Sequence, residues 1–194
     1  MFSKKFLIIQ VFFVIAAVFL LILYLRLPSV PALGVYGQVN DFCLTDSNGQ
    51  KFGLKDLRGK IWVADFFFTT CGNLCPMMSA HMGHLQEAFK FYKGVRLVSF
   101  SVNPEQDTPE VLKKYAQKFH ADTNRWIFLT GSRQDMTRVV VNSFKLGDIK
   151  DPIFHSPYFV LLDKEGKIRG YYDSSDTKSL DKVITDLRQL LKSG

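Results

Sequence analysis

The stretch IWVADFFFTTCGNLCP, residues 61–76, passes from a near-continuous apolar run through a short polar loop to two cysteines and a proline. Such a run suits a strand covered on both faces. Pro76 suits the first position of a helix, and the spacing of apolar residues from Pro76 to Tyr92 continues that helix. Cys71 then lies in the loop after a buried strand, and Cys75 lies at the mouth of the helix.

Outward from this unit the same alternation repeats. Toward the N-terminus, residues 41–46 and 50–54 flank the turn Ser47-Asn48-Gly49 and predict a hairpin. Toward the C-terminus, VRLVSFSV (95–102) reads as a second buried strand, Thr108-Pro109 opens a helix to about His120, and Trp126 to Leu129 makes a short strand. Ser132 to Leu146 reads as a helix capped by Ser132. Tyr158 to Leu162 and Lys167 to Tyr172 form a hairpin around the turn Asp163 to Gly166. The last helix, Lys178 to Leu191, sets Leu180, Val183, Ile184, Leu187 and Leu191 on one stripe. Strands separated by helices, closed by a hairpin and a helix, predict an α/β fold in three layers, with helices on both faces of one sheet.

The front of the chain is different. Residues 6–25, FLIIQVFFVIAAVFLLILYL, carry no charge, and Gln10 is their one strongly polar side chain. As a helix they would span about 30 Å, the thickness of a bilayer core. The run is longer than the apolar part of a cleaved leader, and Pro28-Ser29-Val30-Pro31-Ala32 is a poor cleavage signal. A retained single-pass anchor is the expectation. Lys4 and Lys5 would stay on the cytoplasmic side, with everything after Arg26 outside it. This divides the chain into an anchor over 1–27, a Pro/Gly-rich tether over 28–36 and a folded domain over 37–194.

The 194 residues carry a formal charge of +7 from 25 basic and 18 acidic side chains. Without Lys4, Lys5 and Arg26 the excess falls to +4, and it is dispersed, with no basic run interleaved by aromatics. Nucleic acid is therefore not an expected partner. Three cysteines are too few for a disulfide scaffold, and a close pair plus one left over reads as a working pair.

What that pair does stays open at this level: a redox disulfide, a soft-metal clamp or buried packing. Helix N–H groups and the helix dipole favour negative charge at Cys75, predicting a thiolate more accessible than that of a free cysteine at about pKa 8.5. Residues four apart on a helical turn share a side, so both sulfurs can face one point. Two thiolates and an imidazole make a set for copper. Among four histidines, His155 lies in a turn-rich loop before a strand and is the candidate third ligand. His120 reads as solvated surface. His81 and His84, with Met77, Met78 and Met82, form a candidate auxiliary soft-metal patch, with core packing as the competing role of the methionines. Cys43, in the first strand, reads as a small buried hydrophobe, with a third partner for thiol exchange as the alternative. The chain has no HExxH motif and no phosphate-binding glycine loop. Three residues separate the cysteines, where a thioredoxin-type pair has two.

Several motifs, in order, resemble the Sco/SenC family of thioredoxin-like copper-binding assembly factors for cytochrome c oxidase. GKIWVADFFFTTCGNLCP (59–76) is similar to the family's strand and CxxxCP loop, SVNPEQDTPEVLKKY (101–115) to its Pro-acid-x-Asp-Thr segment, and LTGSRQDM (129–136) to its helix opening. His155-Ser156 matches the family's metal-binding histidine. The resemblance covers roughly residues 37–191 and departs from the family pattern at Gly72, where proline is frequent, and at Phe154, where an acidic residue is common.

The resemblance implies a thioredoxin-like three-layer sandwich with an N-terminal transmembrane helix. It implies copper, as Cu(I), Cu(II) or both, held by Cys71, Cys75 and His155. The implied partner is cytochrome c oxidase subunit II or another exported copper protein, met at the cell membrane with the C-terminal domain on the extracytoplasmic (periplasmic) side. Two enzyme classes compete. In a thiol–disulfide oxidoreductase Cys71 attacks and Cys75 resolves. In a thiol peroxidase Cys71 would be oxidised by peroxide.

Overall fold

The computed structural model describes residues 4–25, 32–146 and 156–193. Two compact units result, Met1–Ala32 and Leu33–Gly194. The first contains helix α1, Lys4–Leu25. Its apolar side chains Phe12, Phe13 and Phe19 are exposed. Among the described residues, however, no helix is long and apolar enough to cross a membrane. The expected transmembrane helix is thus not found among the described residues.

In the second unit residues 61–76 do form strand, loop and helix start. Strand β4 is Ile61–Phe67, and helix α3 is Leu74–Ala88. Around them stand β1 (Gly37–Gln38), β2 (Cys43–Asp46), β3 (Lys51–Gly53), α2 (Leu54–Leu57), β5 (Val95–Ser101), α4 (Pro109–Lys118), β6 (Trp126–Thr130), α5 (Arg133–Thr137), β7 (Tyr158–Leu162), β8 (Lys167–Asp173) and α6 (Thr177–Lys192). One eight-stranded sheet has the order β1-β8-β7-β4-β5-β6-β2-β3. Strand β4 therefore lies mid-sheet, parallel to β5 and antiparallel to β7, and all seven of its residues are buried.

The two-residue period of a strand sorts the continuous apolar run onto two faces. Ile61, Val63 and Phe67 pack with Met78, Met82 and Leu85 of α3, Leu112 and Tyr115 of α4, and Val183 and Leu187 of α6. Trp62, Ala64 and Phe66 pack with Leu54 and Leu57 of α2 and with Met136, Val139, Val140 and Phe144. The expected three layers are present.

Local chemistry sets most boundaries. Thr108 caps α4 by accepting the Val111 N–H, and Pro109 opens that helix. Gly49, at φ 78°, makes the β2–β3 turn. Four differences from the sequence-based reading have physical causes. Helix α3 begins at Leu74, so Cys75 falls inside its first turn. It ends at Ala88, short of Tyr92, where the Arg125 guanidinium donates to the carbonyls of Phe89 and Lys90. The single helix expected from Ser132 to Leu146 is α5 followed by π-helical turns over Arg138–Ser143, through the β-branched run Val139-Val140-Val141. Cys43 is exposed rather than buried, because in β2 the adjacent Leu44 takes the core side.

Candidate functional site

Beyond Phe67 the chain leaves the sheet and carries the two thiols. The Cys71 N–H donates to the Phe68 carbonyl at 3.2 Å, closing a tight turn. Asn73, the N-cap of α3, makes no side-chain capping bond. The Cys71 sulfur takes that role: the Cys75 N–H donates to Cys71 Sγ at 3.4 Å. One hydrogen bond thus seats the first sulfur on the opening turn of the helix that carries the second. Both cysteines are free, Cys71 partly exposed and Cys75 fully buried.

The two thiols differ in acidity, and Cys75, expected to be more acidic than a free cysteine, is less so. Burial pushes Cys71 up, but the Cys75 thiol and the backbone N–H groups of Cys75, Asn73 and Leu74 outweigh it and bring Cys71 below the ordinary thiol value. Burial, and then the hydrogen bond its thiol gives to Cys71, push Cys75 up to about 12. The N–H groups of the helix end serve Cys71, three residues before the helix, whereas the Cys75 side chain turns into the core beside Met78 and Phe67. Cys71 is thus the more acidic and the more exposed of the two thiols.

Two buried carboxylates near the loop were missed by sequence reasoning. Asp65, the one charged residue of IWVADFFF, is fully buried. Ser99 Oγ donates to its Oδ1, and Trp126 Nε1 donates to Ser99 Oγ at 2.8 Å. Its Oδ2 has no hydrogen-bond partner among the described residues. Burial lifts its pKa from 3.8 to about 7, with the Ser99 hydroxyl acting in the other direction. Asp107, also fully buried, accepts hydrogen bonds from Thr69 and Ser101 at the base of the cysteine loop. A charge inside an apolar strand was the available signal for Asp65. For Asp107 the signal was its place as the aspartate of the Pro-acid-x-Asp-Thr segment, just before the Thr108-Pro109 helix start.

His155 lies outside the described residues, as do Asp151 and Phe154. The chain is described again from Ser156, which is buried, and the Ser174 N–H donates to the Pro157 carbonyl at 2.7 Å. Strands β4 and β7 pair Trp62 with Leu162 and Ala64 with Val160. Continued two residues, that register sets Tyr158 across from Phe66, so Ser156 stands at the end of the sheet where the cysteine loop begins.

Of the candidate auxiliary patch, two methionines take the competing core role. Met78 and Met82 are fully buried core residues. The His81 and His84 rings lie 6.5 Å apart, His81 also facing Phe159 at 6.5 Å. His120 is exposed. Among the described residues no group of three or more His, Cys, Asp or Glu could hold a metal.

A family model described as SCO1/SenC matches residues 35–192. The SCO1 protein homolog of Bacillus subtilis (strain 168) is 35% identical over 157 residues, which cover 78% of this chain and 81% of that protein. Among solved structures, BsSco, described as a Sco family cytochrome c oxidase assembly protein with a disulfide switch, superposes with a TM-score of 0.72 at 34% identity, over 81% of this chain and 96% of its own. Copper-bound ScoI of Bradyrhizobium japonicum superposes with a TM-score of 0.65 at 25% identity, over 79% of this chain and 99% of its own.

Proposed function

The chain belongs to the SCO1/SenC family, and from that premise we propose that it is a membrane-anchored copper chaperone. It assists assembly of the dinuclear copper centre of cytochrome c oxidase. The observation that carries this reading is the hydrogen bond from Cys75 N–H to Cys71 Sγ, which holds two free sulfurs on one helical turn.

The ligand set proposed is Cys71, Cys75 and His155. Two thiolates and an imidazole suit a soft copper ion, and the cargo would be Cu(I), Cu(II) or both. Cys71, partly exposed and the more acidic thiol, meets the metal first. Cys75 follows by giving up a proton that its burial otherwise retains. Release occurs by ligand exchange to thiolates and imidazoles of the recipient, oxidase subunit II or another exported copper protein. The return of the chain at Ser156, beside the cysteine loop, supports His155 as the third ligand. Exposed apolar side chains on α1 support the anchor, with Lys4 and Lys5 in the cytoplasm and the domain on the extracytoplasmic (periplasmic) side.

The unequal thiols favour a second reading, thiol–disulfide exchange. The Cys71 thiolate attacks a partner disulfide, forming a mixed disulfide and releasing one partner thiolate. Cys75 then attacks Cys71 Sγ, releasing the second partner thiol and leaving a Cys71–Cys75 disulfide. The test is copper stoichiometry and affinity of the reduced protein beside Cys71→Ser, Cys75→Ser and His155→Ala. One tightly bound copper, weakened by all three substitutions, is the expected result. Failure of the reduced protein to bind copper, or no effect of His155→Ala on binding, would replace the chaperone with the reductant.

A further inference from the structure

The parallel strands β4 and β5 part at their C-terminal ends, and a buried carboxylate fills the gap. The Val102 N–H still donates to the Phe67 carbonyl at 2.8 Å. Past it the chain turns, with the N–H groups of Gln106 and Asp107 both donating to the Asn103 carbonyl at 3.1 and 3.0 Å. This turn brings the Asp107 side chain to where the next rung of the ladder would lie. There it accepts the Thr69 N–H at 3.1 Å, the Thr69 hydroxyl at 2.5 Å and the Ser101 hydroxyl at 2.6 Å. None of the ion pairs among the described residues includes Asp107. Its oxygens accept from three donors instead.

The Thr69 N–H belongs to the same rigid peptide plane as the Phe68 carbonyl. That carbonyl is the acceptor of the Cys71 N–H at 3.2 Å. Holding the N–H on one side of the plane therefore aims the carbonyl on the other, and with it the turn that places Cys71 Sγ under the Cys75 N–H. We propose that Asp107 is the positioning residue of the two-cysteine loop, acting on Cys71 through the Phe68–Thr69 peptide without touching either sulfur. This rests on Cys71 and Cys75 being the working pair of the proposed function.

The test uses the full chain in detergent, as Asp107→Ala, Asp107→Asn and Thr69→Val. One measurement is the glutathione equilibrium, in which the Cys71–Cys75 disulfide and two glutathione thiols give the dithiol and one glutathione disulfide. The other is Cu(I) affinity by competition with a chromophoric chelator. Losing the clamp removes support from the dithiol arrangement seen here. Asp107→Ala should therefore move the equilibrium toward the protein disulfide and weaken Cu(I) binding, each by about 10-fold. Asp107→Asn should recover part of both, since its amide oxygen still accepts the Thr69 N–H. Thr69→Val keeps the backbone bond and should change both by only about 3-fold.

A lower melting temperature with both constants within about 2-fold of wild type would overturn the proposal, leaving Asp107 a structural residue alone. If Asp107→Ala does not fold, Asp107→Asn and Thr69→Val decide by the same criteria. If the wild-type protein binds no Cu(I), the copper reading fails, and the glutathione equilibrium still decides the role of Asp107.

Discussion

Asp65→Asn should flatten the pH dependence of folding stability. In the folded protein Asp65 is fully buried beneath the sheet's helical layers, and its pKa stands at about 7 against an ordinary 3.8. Below 3.8 the carboxyl is protonated in both states and contributes no difference. As pH rises from there to about 7, the unfolded chain releases the proton while the folded one keeps it, so stability falls throughout that window. At about 1.4 kcal/mol per pH unit the loss reaches about 4 kcal/mol by neutral pH, an order-of-magnitude figure. Asparagine carries no such penalty. Because Ser99 donates to Oδ1, the retained proton sits on Oδ2, where it finds no partner among the described residues. The asparagine amide group would be equally unpartnered there, so the two proteins should have similar stability near pH 4. Urea unfolding of residues 33–194, followed through the buried Trp62 and Trp126, measures the difference from pH 4 to 8. The curves should separate as pH rises, the variant becoming the more stable. A constant difference across the range would show that Asp65 titrates as in the unfolded chain and would refute the reasoning.

Three further outcomes follow from the structure. Iodoacetamide mapped by mass spectrometry should modify Cys71 and the exposed Cys43 in the folded, reduced protein, and leave buried Cys75 unmodified until unfolding. Cys75→Ala removes the thiol that donates to Cys71 and should slow Cys71 labelling at neutral pH by about 3-fold. Two glycines should respond to alanine with opposite signs in thermal unfolding. Gly83, inside α3 with open space where a Cβ would stand, should gain about 0.5–1 kcal/mol. At Gly53 an added Cβ would stand 2.3 Å from the Phe42 carbonyl oxygen. That alanine should cost about 2 kcal/mol or more.

Strands β4 and β5, the β7–β8 hairpin and the caps at Thr108 and Ser132 were legible in the sequence, because each depends on residues adjacent along the chain. The CxxxC loop was legible for the same reason, as a strand end followed by a helix start. Less local features were not. Past the end of helix α3, Arg125, more than thirty residues away, supplies donors to the carbonyls of Phe89 and Lys90. Cys43 is exposed because β2 shows only alternate residues to the core, a matter of which face the sheet turns inward.

The order of the two thiols shows the same division most sharply. Sequence spacing by itself determined that Cys71 and Cys75 can share one point, since four residues make about one helical turn. Expecting the helix position to make Cys75 more acidic than a free cysteine was reasonable locally and opposite to the outcome. Only the tertiary structure decided it: Cys75 points into a core assembled from α3, α4 and β4, where a charge loses its water. Cys71 stays at the surface and collects the helix-end N–H groups. Periodicity and capping are properties of neighbouring residues, whereas the solvation and hydrogen bonding that set a thiol's proton affinity come from chain segments that meet only when the sheet is complete.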